Sequence, residues 1–328
     1  KIRTIEDQLT EMEGASGTFA FWHIFTSGKY FKTIVDEQKY IMEASGLVEK
    51  LDRVFFTTNG PKYKELSLEG EKFQHLVHFG NKAQEHRTLH QLYLFCHKNT
   101  KAKVLYFHNK GSYNYNAMNI KFRRALDCFV LTPNCIEALK THDICGWRLS
   151  PLPHIHYSGN FWWATCEHIN ELIPPTTMRR NQTFLNIYQS LFKPDVDIAS
   201  QKPYLGIHRF FGETWLGSRP VFKPADCMSS KIDSSYIVAY NVPETAMSPY
   251  CPNFNFSTNS SEPFNSEILP EKLKIGSTCT TAAVMNNPDD FADAIRILPP
   301  MFSNFTKELV KRSYMWYGKA PITYIEIL

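Results

Sequence analysis

The segment Tyr106-Phe-His-Asn-Lys-Gly111 closes a strand-length apolar run, Ala102 to Phe107, and carries an imidazole, an ammonium and a glycine to its C-terminal edge. In α/β sheets, ligands sit beyond the C-terminal ends of the strands. Lys110 can there neutralise a diphosphate as a point charge, His108 can donate or accept one hydrogen bond, and Gly111 lets the backbone approach the bound group closely. The same residues also fit an ordinary strand-to-helix turn. Farther along, Ser158-Gly-Asn-Phe-Trp-Trp-Ala164 gathers aromatics around a Gly159-Asn160 turn. Indole faces stack on sugar rings, and an Asn amide offers hydroxyls both a donor and an acceptor, so the segment has the chemistry of a carbohydrate surface. Adjacent Trp residues point in different directions; at most one of Trp162 and Trp163 faces a ligand, and the other belongs to the core.

A third stretch, Arg209-Phe-Phe-Gly-Glu213-Thr-Trp-Leu-Gly-Ser-Arg219, mixes an acid, two guanidiniums and aromatics. Glu213 suits a general base for an acceptor hydroxyl, with Arg209 or Arg219 holding phosphate or steadying the carboxylate; a structural Glu–Arg pair is the plainer reading. Asp195-Val196-Asp197 is a pattern that can hold a divalent cation on a nucleotide diphosphate, although here it lies in a Pro-flanked, loop-like stretch. His154 and His156 alternate on one face of an extended segment, which suits two metal ligands. With Asp195 or Asp197 they would make a metal-dependent hydrolase, but no carboxylate follows at a matching short spacing. Nucleophile-elbow, Walker and dinucleotide-binding glycine patterns are missing.

The elements that would hold these groups alternate between strand and helix length. Thr18 to Phe25 (TFAFWHIF) reads as the first core strand. Phe31, Ile34, Val35, Gln38, Ile41 and Met42 recur at helical spacing and stop at Gly46, a helix-terminating glycine. Val54 to Thr57 supplies a second strand before the turn Asn59-Gly60-Pro61, and Leu89, Leu92, Tyr93 and Cys96 mark another helix. A helical stretch from Asn119 to His142, carrying Arg123 and Arg124, breaks near Pro133; Ile144 to Leu149 reads as a strand and Thr165 to Leu172 as a helix. Such alternation predicts an α/β sheet with helices on both faces. The organisation expected is a polar leader over 1–17, a main domain over 18–220, and a loop-rich extension over 221–328 packed on it, with helix-like blocks at 288–297 and 304–314.

Composition narrows the class. Of 328 residues, 43% are apolar and 21% charged, as in ordinary globular chains. Lys and Arg number 36 against 32 Asp and Glu, and the basic residues are scattered, which disfavours a nucleic-acid partner. No apolar run is long enough to span a bilayer, so no transmembrane segment is expected in this chain; without an initiator Met, an upstream signal or anchor is expected to have been cleaved or left out. The eight cysteines lack any Cys-x-x-Cys pair, which points to disulfides or buried thiols. Four acceptor sequons start at Asn181, Asn255, Asn259 and Asn304. Together they favour the lumen of the secretory pathway or the cell exterior over the alternative of cytosolic thiols and accidental sequons.

Trp22-His23, Glu37-Gln38 through Ser45-Gly46-Leu47, Thr88-Leu89, the His108-Asn-Lys-Gly111 edge, Gly159-Asn-Phe-Trp-Trp-Ala164 and Glu213-Thr-Trp together resemble a family of glycosyltransferase-like proteins of microbes and algae. More distantly, the strand edge and the aromatic segment are similar to the rhamnan-synthesis glycosyltransferases. The resemblance covers roughly residues 18 to 220 and implies a GT-A-like domain that takes a nucleotide-sugar donor and passes the sugar to a glycan or glycoprotein acceptor. It implies that His108 and Lys110, with Arg124, attend the donor, where the residue chemistry above also puts Gly111 and Arg209. Gly159, Asn160 and Trp162 would help form the acceptor or sugar pocket, and the base for such a transfer is the Glu213 already singled out by its residue chemistry. The Asp-x-Asp motif usual at the strand end is replaced by His108-Asn109-Lys110, so a lysine charge can stand in for Mn or Mg. The competing expectation is a catalytically silent relative that binds glycan or builds an extracellular assembly.

Overall fold

The computed structural model describes residues 12–81, 85–150, 156–178, 210–218, 223–227 and 279–281. Strand β1 (Thr18–Phe25), helix α1 (Phe31–Ala44) and strand β2 (Arg53–Asn59) form the first crossover unit, followed by β3 (Phe73–His78). Helix α2 (Glu85–Lys98), strand β4 (Lys103–His108) and helix α3 (Ala117–Val130) come next. β1 pairs in parallel with both β2 and β4, and β2 pairs in parallel with β3. The chain therefore winds one way from β1 through β3 and then returns to the other side of β1.

The second half extends this sheet. Helix α4 (Asn134–Ala138), β5 (Ile144–Gly146), the small ribbon of β6 (Leu149–Ser150) and β7 (His156–Tyr157), β8 (Trp162–Thr165) and α5 (Cys166–Asn170) follow. Helix α6 (Phe210–Thr214), β9 (Pro224–Asp226) and β10 (Thr280–Thr281) come last, and short helical turns at Leu47–Lys50, Tyr63–Glu65 and Trp215–Gly217 lie between these elements. The eight-stranded mixed sheet runs β10-β9-β5-β8-β4-β1-β2-β3.

Both faces of this sheet are covered, which explains why β1 is an unbroken apolar run instead of an alternating one. Phe19 and Phe21 pack with Phe55, Leu89, Leu92 and Phe95 beneath α2. Ala20, Trp22 and Ile24 pack with Val35, Ile41 and Phe129 beneath α1 and α3. Helix α1 ends where expected: Ser45 bonds back to the carbonyl of Ile41, and Gly46 takes a left-handed φ of +75° that only glycine adopts cheaply. Pro133 separates α3 from α4, since it has no N–H to continue the ladder.

Three features differ from the sequence reading. β3 is a half-buried edge strand whose polar residues hide its period. The run Ile144 to Leu149 is broken at Arg148, which has φ +64°, and the Asp226 carboxylate caps the break by accepting from the N–H groups of Arg148 (3.0 Å) and Leu149 (2.6 Å). The aromatic segment is itself a strand: β8 runs antiparallel between β4 and β5. Successive residues of a strand face opposite ways, so Trp162 and Trp163 enter opposite cores, and both are fully buried. After residue 220, β9 and β10 still belong to the same sheet.

Disulfides join Cys96 to Cys166, Cys135 to Cys145 and Cys227 to Cys279, and Cys128 is disulfide-bonded as well. They are compatible with an extracellular or secretory location. Among the described residues no helix is long and apolar enough to cross a membrane. The four sequons and the helix-like blocks after residue 287 lie outside the described residues.

Candidate active site at the strand ends

The reversal of winding at β1 and β4 sets the ends of two parallel strands side by side, and there His23 and His108 are register partners. A crevice beyond such ends is where sheets of this kind take ligands. Where the strands part, Asn109 continues the ladder with its side chain. Its Oδ1 accepts from the N–H of Phe25 at 2.8 Å and its Nδ2 donates to the Phe25 carbonyl at 2.9 Å.

Glu85 is the first residue of α2, at the positive end of the helix dipole. Its Oε2 accepts from Asn160 Nδ2 at 2.9 Å and from the Tyr106 hydroxyl at 3.2 Å. Burial pushes this carboxyl up, but His108, His23, the Asn160 amide and Lys110 together outweigh it and hold it at about 2. Glu85 is thus a fixed anion near neutrality, too weak a base to remove a proton and well suited to orienting its donors.

His23 Nδ1 lies 2.8 Å from Thr88 Oγ1, which in turn lies 2.6 Å from Thr57 Oγ1. Burial lowers the His23 imidazole to about 4, against the pull of Glu85. His108 Nε2 is 3.0 Å from the Gly159 carbonyl, an acceptor only, so this nitrogen carries the proton and Nδ1 is the basic atom of the neutral ring. Burial holds His108 below its ordinary value as well, with Glu85 opposing.

The Gly159-Asn160 turn meets His108 directly and the neighbourhood of Lys110 through the Phe122 ring. Gly159 has φ +91°, and a Cβ there would lie 2.6 Å from Leu126 Cδ1, so glycine is required by conformation and by space. Asn160 has φ +60°, a region that asparagine tolerates, and its Oδ1 accepts from the Trp162 indole N–H at 2.8 Å. Lys110 Nζ rests 5.2 Å from the centre of the Phe122 ring, the same ring that Gly159 approaches. Glu213, in α6, is part-exposed and close enough to Tyr106 and His108 to raise both.

A buried charge network lies behind the loop. Glu37 takes Arg123 Nη2 on one oxygen and Arg124 Nε on the other, each at 2.6 Å. Arg123 Nη1 also reaches the Lys110 carbonyl at 3.4 Å. Gln38 Nε2 donates to the His108 carbonyl at 3.1 Å and to Asp127 Oδ1 at 2.9 Å. The loop that carries His108 and Lys110 is therefore anchored through its carbonyls to α1 and α3.

His108, Lys110, Gly159, Asn160 and Glu213 are brought together, with Gly111 on the same loop at φ +86°. Trp162 is not a ligand wall: it is fully buried against Tyr106 and Trp215, with ring centroids 5.3 and 5.9 Å away, and its indole instead fixes Asn160. Arg124 is turned to Glu37 and bears on the loop from behind. Arg209, Asp195, Asp197 and His154 lie outside the described residues, while His156 pairs with Ser150 in the β6–β7 ribbon. Sequence reasoning missed Glu85, Thr57 and the roles of His23 and Tyr106. One signal was available for His23, a polar residue inside an apolar core strand; Glu85 offered only an acid at a helix start. Among the described residues, no three or more His, Cys, Asp or Glu at these strand ends are packed closely enough to share a cation.

A stability test of this cluster rests on His23. Between its ordinary value of 6.5 and its folded value of about 4, the unfolded chain binds a proton that the folded chain refuses. Stability therefore falls as pH drops through that window, by about 2 kcal/mol at pH 5 for this group. In urea unfolding, the stability gap between the parent protein and His23→Asn, which keeps a polar atom for Thr88, should shift in the variant's favour by about 2 kcal/mol from pH 8 to pH 5, all other titrations cancelling between the two; a gap unchanged with pH would remove His23 from the account.

A family model described as Domain of unknown function (DUF8361) matches residues 21–279. No curated protein matches the chain.

Proposed function

We propose that this chain, which belongs to the family described as Domain of unknown function (DUF8361), is a glycosyltransferase of GT-A-like fold that moves a sugar from a nucleotide-sugar to a hydroxyl on a glycan or glycoprotein. The observation that carries this reading is the convergence of His108, Lys110, Asn160 and Glu213 where the winding of a parallel sheet reverses. That is the position for a nucleotide diphosphate. Lys110 supplies the charge that would otherwise come from a divalent cation, and the neutral His108 supplies a hydrogen bond.

In the reaction the acceptor oxygen attacks the anomeric carbon, the bond from that carbon to the diphosphate oxygen breaks, and the electron pair leaves on the diphosphate beside Lys110. The acceptor hydroxyl proton passes to the Glu213 carboxylate, since Glu85 is too acidic to receive it. Asn160 is itself fully buried, and its bonds to Glu85 and Trp162 fix the turn whose Gly159 carbonyl receives the His108 imidazole. Positioning and charge stabilisation supply most of the rate. Disulfides and the four sequons support action in the secretory lumen or outside the cell.

Calorimetry with uridine and guanosine diphosphates, with and without manganese, tests the reading. Binding is expected, and Lys110→Ala should weaken it about 10- to 100-fold, as loss of a charge-assisted contact does. Glu213→Gln should bind normally and transfer slowly. The absence of nucleotide binding, or equal binding by Lys110→Ala, would overturn the proposal. A silent glycan-binding member of an extracellular assembly is the second reading, favoured by the full use of Glu85 Oε2 in holding Tyr106 and Asn160; it requires glycan binding without nucleotide binding.

A further inference from the structure

The sulfurs of Cys135, Cys145, Cys227 and Cys279 all lie within 4.8 Å of one another. They come from α4, from β5, from the residue after β9 and from the residue before β10. Cys135, Cys145 and Cys227 are fully buried and Cys279 is part-buried. One bridge lies against the other: Cys227 Sγ, bonded to Cys279, stands 3.4 Å from Cys135 Sγ and 3.6 Å from Cys145 Sγ, which are bonded to each other.

That near-equal spacing decides between two uses of the cluster. Thiol–disulfide exchange needs the attacking sulfur in line with the bond it breaks, and Cys227 instead sits beside the middle of the Cys135–Cys145 bond. A zinc tetrathiolate needs each sulfur equidistant from the other three, at about 3.8 Å for Zn–S bonds of about 2.3 Å. The two distances from Cys227 already approach that value and no sulfur lies more than 4.8 Å from another, so opening the two bonded edges is the main change required.

We propose that in the reduced chain these four cysteines form a closed, structural zinc site. Reducing the two bridges takes four electrons and four protons: two dithiols supply both and leave as disulfides, or two phosphines supply the electrons and leave as phosphine oxides while two waters supply the oxygens and the protons. Zinc then displaces four thiol protons and leaves four Zn–S bonds. The site would pin β9 and β10, strands of three and two residues, to β5 and α4 in a reducing compartment, as the disulfides do in an oxidising one. Soft thiolate ligands in tetrahedral array select zinc over magnesium or calcium.

The test reduces the whole protein anaerobically with a phosphine in the presence of cobalt as a spectroscopic probe. One cobalt per chain is expected, with the sulfur-to-metal charge-transfer band and the red ligand-field bands of a tetrahedral thiolate, both bleached by added zinc. Cys227→Ser and Cys279→Ser should each abolish the tetrathiolate spectrum, whereas Cys96→Ser, outside the cluster, should keep it. Absence of the spectrum, its survival in both cluster variants, or unfolding of the reduced chain despite bound zinc would each overturn the proposal.

Discussion

Replacing Glu37 by alanine is expected to lower the free energy of unfolding by about 3–5 kcal/mol, the usual result of removing one partner from a buried ion pair. Arg123 is fully inside and Arg124 nearly so, and each gives Glu37 a 2.6 Å charge-assisted bond. Without that carboxylate, two guanidiniums stay desolvated beside each other. An exposed pair behaves differently: Lys39 and Glu43 stand 3.7 Å apart on α1 in solvent, and Glu43→Ala should change stability by only about 0.3–0.5 kcal/mol. Urea unfolding of the two variants side by side makes the comparison. A Glu37→Ala loss below about 1 kcal/mol would mean that the arginines find other acceptors, and the anchoring of the Lys110 carbonyl by Arg123 would have to be abandoned.

The second large effect is a pH dependence seated in Asp127, whose carboxyl is raised from 3.8 to about 8. Burial is the main cause; Arg123, 3.7 Å away through Nε, opposes it, and the Glu37 charge adds to it. From about pH 4 to pH 8 the folded chain keeps a proton that the unfolded chain has lost, so stability declines as pH rises through this window. Between pH 5 and pH 8 the decline from this group is about 3–4 kcal/mol. His23 slopes the other way over the lower part of the range, so the informative quantity is the gap between the parent protein and Asp127→Asn, in which His23 cancels. The carboxamide mimics the protonated acid, and the variant should gain on the parent steadily as pH rises. A gap that stays constant from pH 5 to pH 8 would show Asp127 to be ionised in the folded state.

These two residues also mark where sequence reading stops. Helix α1 was legible because its apolar residues repeat at helical spacing and a glycine ends it, but the periodicity says nothing about why Glu37 and Gln38, both buried, sit among them. Arg123 and Arg124 were visible as basic residues on a helix. Their meaning depends on α1 and α3 lying side by side, 86 and 87 residues apart in sequence at the contacts with Glu37. The aromatic segment shows the same limit. Its burial was half expected, yet the strand between β4 and β5 that sends both indoles into opposite cores follows from pairing partners distant along the chain.

By itself, the sequence determined the class of fold, the ends of its early strands and helices, and the presence of an imidazole and an ammonium at one strand edge. Local causes suffice for these, since backbone propensity, side-chain periodicity and glycine or proline stops act over a few residues. Only the tertiary structure decided that His23 faces His108, that Glu85 is the anion holding Asn160 and Tyr106, and that four cysteines meet at the far edge of the sheet. The protonation of buried groups and the company a side chain keeps are set by strand order and by desolvation, which exist only once distant segments have packed together.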